Sequence, residues 1–247
     1  MVLRTALVYA AALIGFASVG SKAEAQLMEP PEQVSSQSIH PNCLDGKKEK
    51  AGLVTHYFVP LLQEYDHFLC HILEGTCIYM KDGVPWLHNY GYEDEPLEDA
   101  RCKNGYGNRQ NCLHPCRALA ASMKHHTWGE VIFFKELVGM KCGNKERDGF
   151  ELIHDGFMVV VDTGSPKYFN KRGRFDFFLG RCGSFNNGEC FEGGPEISKA
   201  LSNSDYCVVW DPKKPNRNKA LKDEFVGKVK QEAIARGDHE AAVDFEL

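Results

Sequence analysis

The sequence predicts a mainly β protein, a small barrel or sandwich with cysteine-pinned loops and a C-terminal α-helix. Three observations predict it. Between positions 119 and 179, three β-rich pieces, GEVIFFKEL (129–137), GFMVVVDTG (156–164) and GRFDFFLG (173–180), are each bounded by glycine at a spacing typical of a small all-β domain. Ten cysteines run from Cys43 to Cys207. Near the end, Leu221, Phe225, Val229 and Ala233 recur every four residues between Pro215 and Gly237, the stripe of an amphipathic helix.

The elements follow in chain order. Residues 1–25 read as an export signal, with Arg4 as the charged start, an apolar stretch from Ala6 to Val19, and Ala23-Glu24-Ala25 as a small-x-small cleavage site. A membrane anchor is the weaker reading, because the apolar stretch is short. Residues 26–42, with Pro30, Pro31 and Pro41 among Ser and Gln, lack the apolar content for a core and read as a flexible leader. The run LVTHYFVPLL (53–62) is β-branched and aromatic and suits a strand ending near Pro60. The stretch 71–111, rich in Gly, Asp, Asn and Tyr, looks like loops pinned by cysteines, with short strand-like pieces such as 77–80. The expected layout is a β domain over 43–210 with a cysteine-rich insertion at 61–116, then a charged segment with the helix over 211–247.

Composition excludes several classes. The 247 residues are 43% hydrophobic, with 29 Lys plus Arg against 34 Asp plus Glu, a formal charge of −5. That acidity argues against nucleic-acid binding, which needs a basic face. Beyond the N-terminus no apolar run approaches the roughly 18 residues needed to span a bilayer, so no stable membrane insertion is expected. A monomer is expected.

All ten cysteines follow the signal, and an even set in an exported chain reads as disulfides whose pairing the sequence does not fix. Zinc is a weaker alternative: Cys112-x3-Cys116 has ligand spacing, but no second close pair completes a four-ligand set. A metal site from His125-His126 with His154 is equally weak, since adjacent histidines in a strand point to opposite faces. No metal and no cofactor are expected.

The best chemical constellation is Asp162-Thr163-Gly164 ending one strand and Asp176 inside the next, with Lys167, Lys171, Arg172 and Arg174 in the link. Apolar neighbours around Asp176, and a second carboxylate nearby, both disfavour its charged form. A carboxyl that stays protonated near neutral pH is what a general acid requires. The structural alternative is one Asp closing a turn and the other paired with the basic link.

These residues resemble a known family. Arg117-Ala118-Leu119-Ala120-Ala121-Ser122, Thr127-Trp128-Gly129-Glu130-Val131, Val161-Asp162-Thr163-Gly164, and Arg174-Phe175-Asp176-Phe177-Phe178-Leu179-Gly180-Arg181-Cys182-Gly183 occur in the order seen in the three-aspartate ("3D") domain. That domain occurs in the membrane-bound lytic murein transglycosylase A group and in resuscitation-promoting and cell-wall-associated factors. Val54-Thr55-His56-Tyr57-Phe58-Val59-Pro60 is similar to its opening aromatic strand. The resemblance covers about residues 53–190, densely over 117–183. It implies a six-stranded double-psi β-barrel acting on peptidoglycan, exported to the periplasm or secreted.

The family's catalytic acid and base carries over to Asp176, and its supporting neighbour to Asp162. The implied reaction cleaves the bond between N-acetylmuramic acid and N-acetylglucosamine without water, the muramyl C6 hydroxyl closing on the anomeric carbon. Tyr57, Thr163, Gly164, Lys167, Trp86 and Tyr90 are the expected substrate-binding residues, Trp86 and Tyr90 by stacking on sugars. Alternatively, these rings fill space over the barrel. The first of the three family aspartates is Ser122 here, the link from Asp162 to Asp176 is longer and more basic than usual, and no large inserted domain is present. Two other classes therefore stand beside the enzyme: a carbohydrate-binding or wall-loosening module of expansin type, and a disulfide-hardened interaction protein.

Overall fold

The computed structural model of the chain describes residues 43–107, 111–145, 150–182 and 194–244. The expected signal and leader, residues 1–42, lie outside the described residues. Twelve strands are present among the described residues: β1 (Glu49–Lys50), β2 (Val54–Leu62), β3 (Thr76–Lys81), β4 (Val84–Asn89), β5 (Glu95–Pro96), β6 (Ala118–Ala121), β7 (Val131–Phe134), β8 (Lys141–Asn144), β9 (Phe150–Ile153), β10 (Phe157–Asp162), β11 (Phe175–Cys182) and β12 (Asp205–Trp210). Ten of them join in one mixed ladder, in the order β1-β12-β7-β10-β6-β11-β2-β3-β4-β5, and β8 pairs with β9 apart from it. The ladder ends at β1 and β5, and no pairing among the described residues closes it into a barrel.

The central strands are buried on both faces. β6 (ALAA) and β7 (VIFF) are buried at every position, which is why they read as continuous apolar runs rather than alternating ones. One face of the sheet packs Leu119, Val160, Phe134, Phe175 and Phe177 together. The other packs Val59, Ala118, Val159, Val161 and Phe178. Helix α1 (Gly194–Leu201) seals the first cluster with Ile197 and Leu201. Helix α2 (Lys219–Ala235) seals the second with Phe225 and Val229, so the C-terminal stripe is a docking face. A short α3 (His239–Asp244) follows.

Two local expectations are corrected. Pro60 does not end its strand: β2 continues to Leu62, and β3 joins it only at Leu61 and Leu62, so one edge beside the proline needs no ladder donor. The region after His71 is more regular than loops, because β3 and β4 form a six-residue hairpin turned by Asp82-Gly83, both at positive φ.

Eight cysteines form four disulfides: Cys43–Cys207, Cys70–Cys77, Cys102–Cys112 and Cys116–Cys142. Cys112 and Cys116 enter different bridges, which removes the zinc alternative. Cys190 lies outside the described residues. Such bridges point to an oxidising environment. No helix among the described residues is long and apolar enough to cross a membrane.

Candidate active site

The register of three strands builds the site. Asp176 in β11 pairs with Ala120 of β6, and Asp162 at the end of β10 pairs with the same Ala120 from the other side. Directly paired residues project from the same face, so both carboxyls stand on one side of the sheet with only a methyl between them. Their backbones lie two strand spacings, about 10 Å, apart. Regular alternation would have turned Asp162 to the opposite face with Val160. A bulge between Val160 and Asp162 re-aims it.

Thr55 extends the row. It pairs with Asp176 across β2 and donates its hydroxyl to Asp176 Oδ1 at 2.7 Å. Arg174 holds Thr55 in turn, donating to Thr55 Oγ1 at 2.9 Å and to the Leu53 and Phe175 carbonyls at 2.8 Å. Burial raises the Asp176 carboxyl to about 6, against the opposing Thr55 hydrogen bond and Arg174 charge. The basic link thus supplies one cation, which acts through Thr55 and does not neutralise the acid. An open groove of about 470 Å³ between β2 and α1 reaches Thr55 and is also lined by Leu53, His56 and Ser198.

Tyr57, two residues beyond Thr55, shares this face and packs its ring on Phe178 at 5.0 Å. Its hydroxyl is sealed from solvent without a well-aligned hydrogen-bond partner among the described residues. Burial first, and then the charges of Asp162 and Asp176, hold its proton well above the ordinary phenol range. Asp162 is therefore within reach of the phenol, though short of ideal alignment. Asp162 also accepts the Thr163 backbone N–H at 2.8 Å, while Thr163 Oγ1 donates to the Ala121 carbonyl at 2.8 Å and fixes the strand end.

No protein-family model, curated protein or solved structure matches this chain. The chemistry must be read from the side chains themselves.

The remaining expected residues divide. Gly164 is covered by Phe169, which stacks under Arg174 with the guanidinium 5.1 Å from its ring. A Cβ at Gly164 would sit 2.1 Å from the Phe169 ring. Gly164→Ala is expected to cost about 1–3 kcal/mol through displacement of that ring; urea unfolding measures it, and wild-type stability would show the ring moves freely. Lys167 is exposed, its ammonium 5.2 Å from the Tyr168 ring. Trp86 packs on the Cys70–Cys77 cluster with the Lys81 ammonium 4.1 Å over its ring. Tyr90 is 61% exposed, meets the His71 ring at 4.5 Å, and donates its backbone N–H to the Gly75 carbonyl at 2.7 Å.

His125 and His126 lie in a turn rather than a strand; His126 shares a 2.6 Å hydrogen bond with buried Glu130, and His125 approaches the Asn170 carbonyl. Among the described residues no cluster of three or more His, Cys, Asp or Glu is arranged to hold a metal ion.

Sequence reasoning missed Glu74. Burial, and then the charge of Asp176, raise its carboxyl to about 7, although the Phe58 backbone N–H favours the charged form. Its charge also acts on Tyr57. The signal available was its place between Cys70 and Cys77, where a bridge fixes a short loop. Nothing in the sequence says which strand edge that loop covers.

Proposed function

We propose that this chain is an exported glycan-cleaving enzyme of lytic-transglycosylase type acting on peptidoglycan, with Asp176 as general acid and base and Asp162 as its supporting carboxylate. The observation that carries the reading is the row Thr55, Asp176, Ala120, Asp162 on one sheet face, with the Asp176 carboxyl raised to about 6. A positioned acid near neutral pH beside a second negative group is what an oxocarbenium-like transition state needs. The Tyr57 hydroxyl, sealed beneath the same face, has Asp162 within reach and would position that carboxyl under a bound sugar. The parallel pairs β2/β11 and β6/β10, on either side of an antiparallel junction, support a relation to the double-psi β-barrel.

Incubation of the purified mature protein with peptidoglycan is expected to release 1,6-anhydromuropeptides, detected by mass spectrometry. Intact glycan would overturn the cleavage reading. A second reading, binding without cleavage, is favoured by the exposed Tyr65 and Tyr90 rings beside His67 and His71. Co-sedimentation with uncleaved wall would select it.

A further inference from the structure

We propose that the cleft between the β8/β9 hairpin and the end of α2 is a carboxylate-binding site that takes the C-terminal end of a short peptide, with Arg236 as its clamp. It shares no residue with the acid row and is a second site whatever chemistry the row performs.

The backbone fixes where Arg236 stands. Its N–H closes the last turn of α2 onto the Glu232 and Ala233 carbonyls at 3.2 and 3.1 Å. Gly237, at φ +79, then reverses the chain, and the Asp238 N–H returns to the Ala233 carbonyl at 2.9 Å. The side chain lies over the Phe150 ring, with the guanidinium carbon 5.3 Å from its centroid. Phe150 opens β9, and the Cys116–Cys142 bridge ties its partner strand β8 to the residues before β6.

The guanidinium's donors are idle. Nε and Nη2 of Arg236 are sealed from solvent and have no hydrogen-bond partner. The acids around it are engaged elsewhere. Both Glu232 oxygens accept from Arg117, Asp238 accepts the Asn104 amide and the Ala241 N–H at 3.3 Å each, and Glu151 pairs with Lys141 at 2.9 Å. Glu232 and Asp238 reach Arg236 only through their charge, against its burial and the repulsion of Arg117 and Arg181. A buried cation with two idle donors is costly, and a ligand anion is what satisfies it.

Arg117 shows what that edge binds. The same two nitrogens, Nε and Nη2, take the two Glu232 oxygens at 3.0 and 2.6 Å. A planar carboxylate matches the fork bidentately.

The rest of the cleft narrows the class. Its volume of about 280 Å³ lies just below the roughly 300–1,000 Å³ of ordinary small-molecule sites, which suits a short segment. Phe150, Leu152 and Ala235 provide an apolar wall for small side chains beside the carboxylate, and Lys145 adds a second cation. Glu151 and Glu232 line the same cleft, which disfavours a doubly charged phosphate. Glu151 also offers an acceptor for an amide N–H of the ligand.

Titration of the purified mature protein with N-acetyl-dialanine, in both enantiomeric forms, tests the assignment. The Arg236 Nε–H signal, identified in proton–nitrogen correlation spectra by its loss in Arg236→Met, should shift saturably with at least one form. The C-terminal amide of the same peptide should leave it unmoved, and inorganic phosphate should bind more weakly. Arg236→Met should weaken binding at least about tenfold, the loss expected when a charge-assisted hydrogen-bond pair is removed. No saturable shift with either form, equal shifts from acid and amide, tighter binding of phosphate, or unchanged affinity in Arg236→Met overturns the proposal. If Arg236→Met does not fold, the thermal midpoint of wild-type protein decides: the acid should raise it and the amide should not, and equal effects overturn the site.

Discussion

Asp176→Asn is expected to abolish glycan cleavage while the protein remains at least as stable as wild type at neutral pH. The loss follows from the chemistry: removing a general acid or base costs about 10²–10⁴ in rate. The gain follows from linkage. The carboxyl titrates at about 6 in the fold against an ordinary 3.8. The folded state thus binds this proton more tightly than the unfolded chain, and stability falls as pH rises from about 4 to about 6, then stays level. At about 1.4 kcal/mol per pH unit, the ionised side chain costs up to about 3 kcal/mol above that range, less whatever solvent reaches it. Asparagine carries no such cost, and its amide oxygen can still accept the Thr55 hydroxyl. Urea unfolding at pH 7 beside a muropeptide digest measures both effects. A variant that keeps full activity rules out the role; one that loses activity only because it unfolds rules out the linkage argument.

The same group fixes the pH profile. Asp176 has to begin protonated to act as the acid, so the rate should decline as pH rises above about 6. In Asp176→Asn the Glu74 carboxyl loses the charge that helps raise it, so its titration moves down.

Much of the fold was legible because it depends on local pattern. The runs that became β7, β10 and β11 read as strands from their β-branched and aromatic content and bounding glycines, and the four-residue stripe of α2 faces the core as its spacing required. Cysteine count and context predicted bridges, though pairing needed three-dimensional proximity. The site was only half legible. Asp162 and Asp176 were visible as acids in β-rich segments, but the bulge that turns Asp162 onto the face of Asp176 leaves no mark in Val160-Val161-Asp162. Glu74 was invisible for another reason: it is about 100 residues from Asp176 in sequence, and what brings it close is the parallel pairing of β2 with β11. Non-local pairing is the part of a β fold that periodicity does not encode. Arg174 was read as part of a basic link, whereas its guanidinium hydrogen-bonds Thr55 and two carbonyls and so organises one edge of the site.

Arg117→Met is expected to destabilise the protein by about 3–5 kcal/mol without impairing the molecules that remain folded. Arg117 is 1% exposed, just before β6, and its guanidinium grips Glu232 of α2 with Nε and Nη2 at 3.0 and 2.6 Å. Nη1 donates to Asp155 at 2.5 Å and to the Phe157 carbonyl at 3.0 Å, where β10 begins. One cation thus joins the C-terminal helix to the parallel pair β6/β10, with Lys228 of α2 adding a 3.2 Å contact to Asp155. Methionine fills the volume but leaves two carboxylates, 27% and 22% exposed, short of their main counter-charge. Burial alone would raise Asp155; the Arg117 charge and hydrogen bond reverse this and hold its carboxyl below the ordinary 3.8. In wild type that contribution is present above pH about 4 and disappears as pH falls through the depressed value. Without Arg117 the sign inverts, because the buried carboxyls then gain protons more readily in the fold, and acid should narrow the difference between variant and wild type. Urea midpoints across pH 4–8 measure this, and a gap that does not change with pH would mean lost packing rather than lost charge. Asp162 lies at the other end of β10, about 16 Å along the strand, so activity per folded molecule should stay near wild type. The two substitutions are therefore opposites: Asp176→Asn removes function and relieves strain, whereas Arg117→Met removes strength and spares function, as expected if the acid row and the ion cluster occupy opposite ends of the same strands.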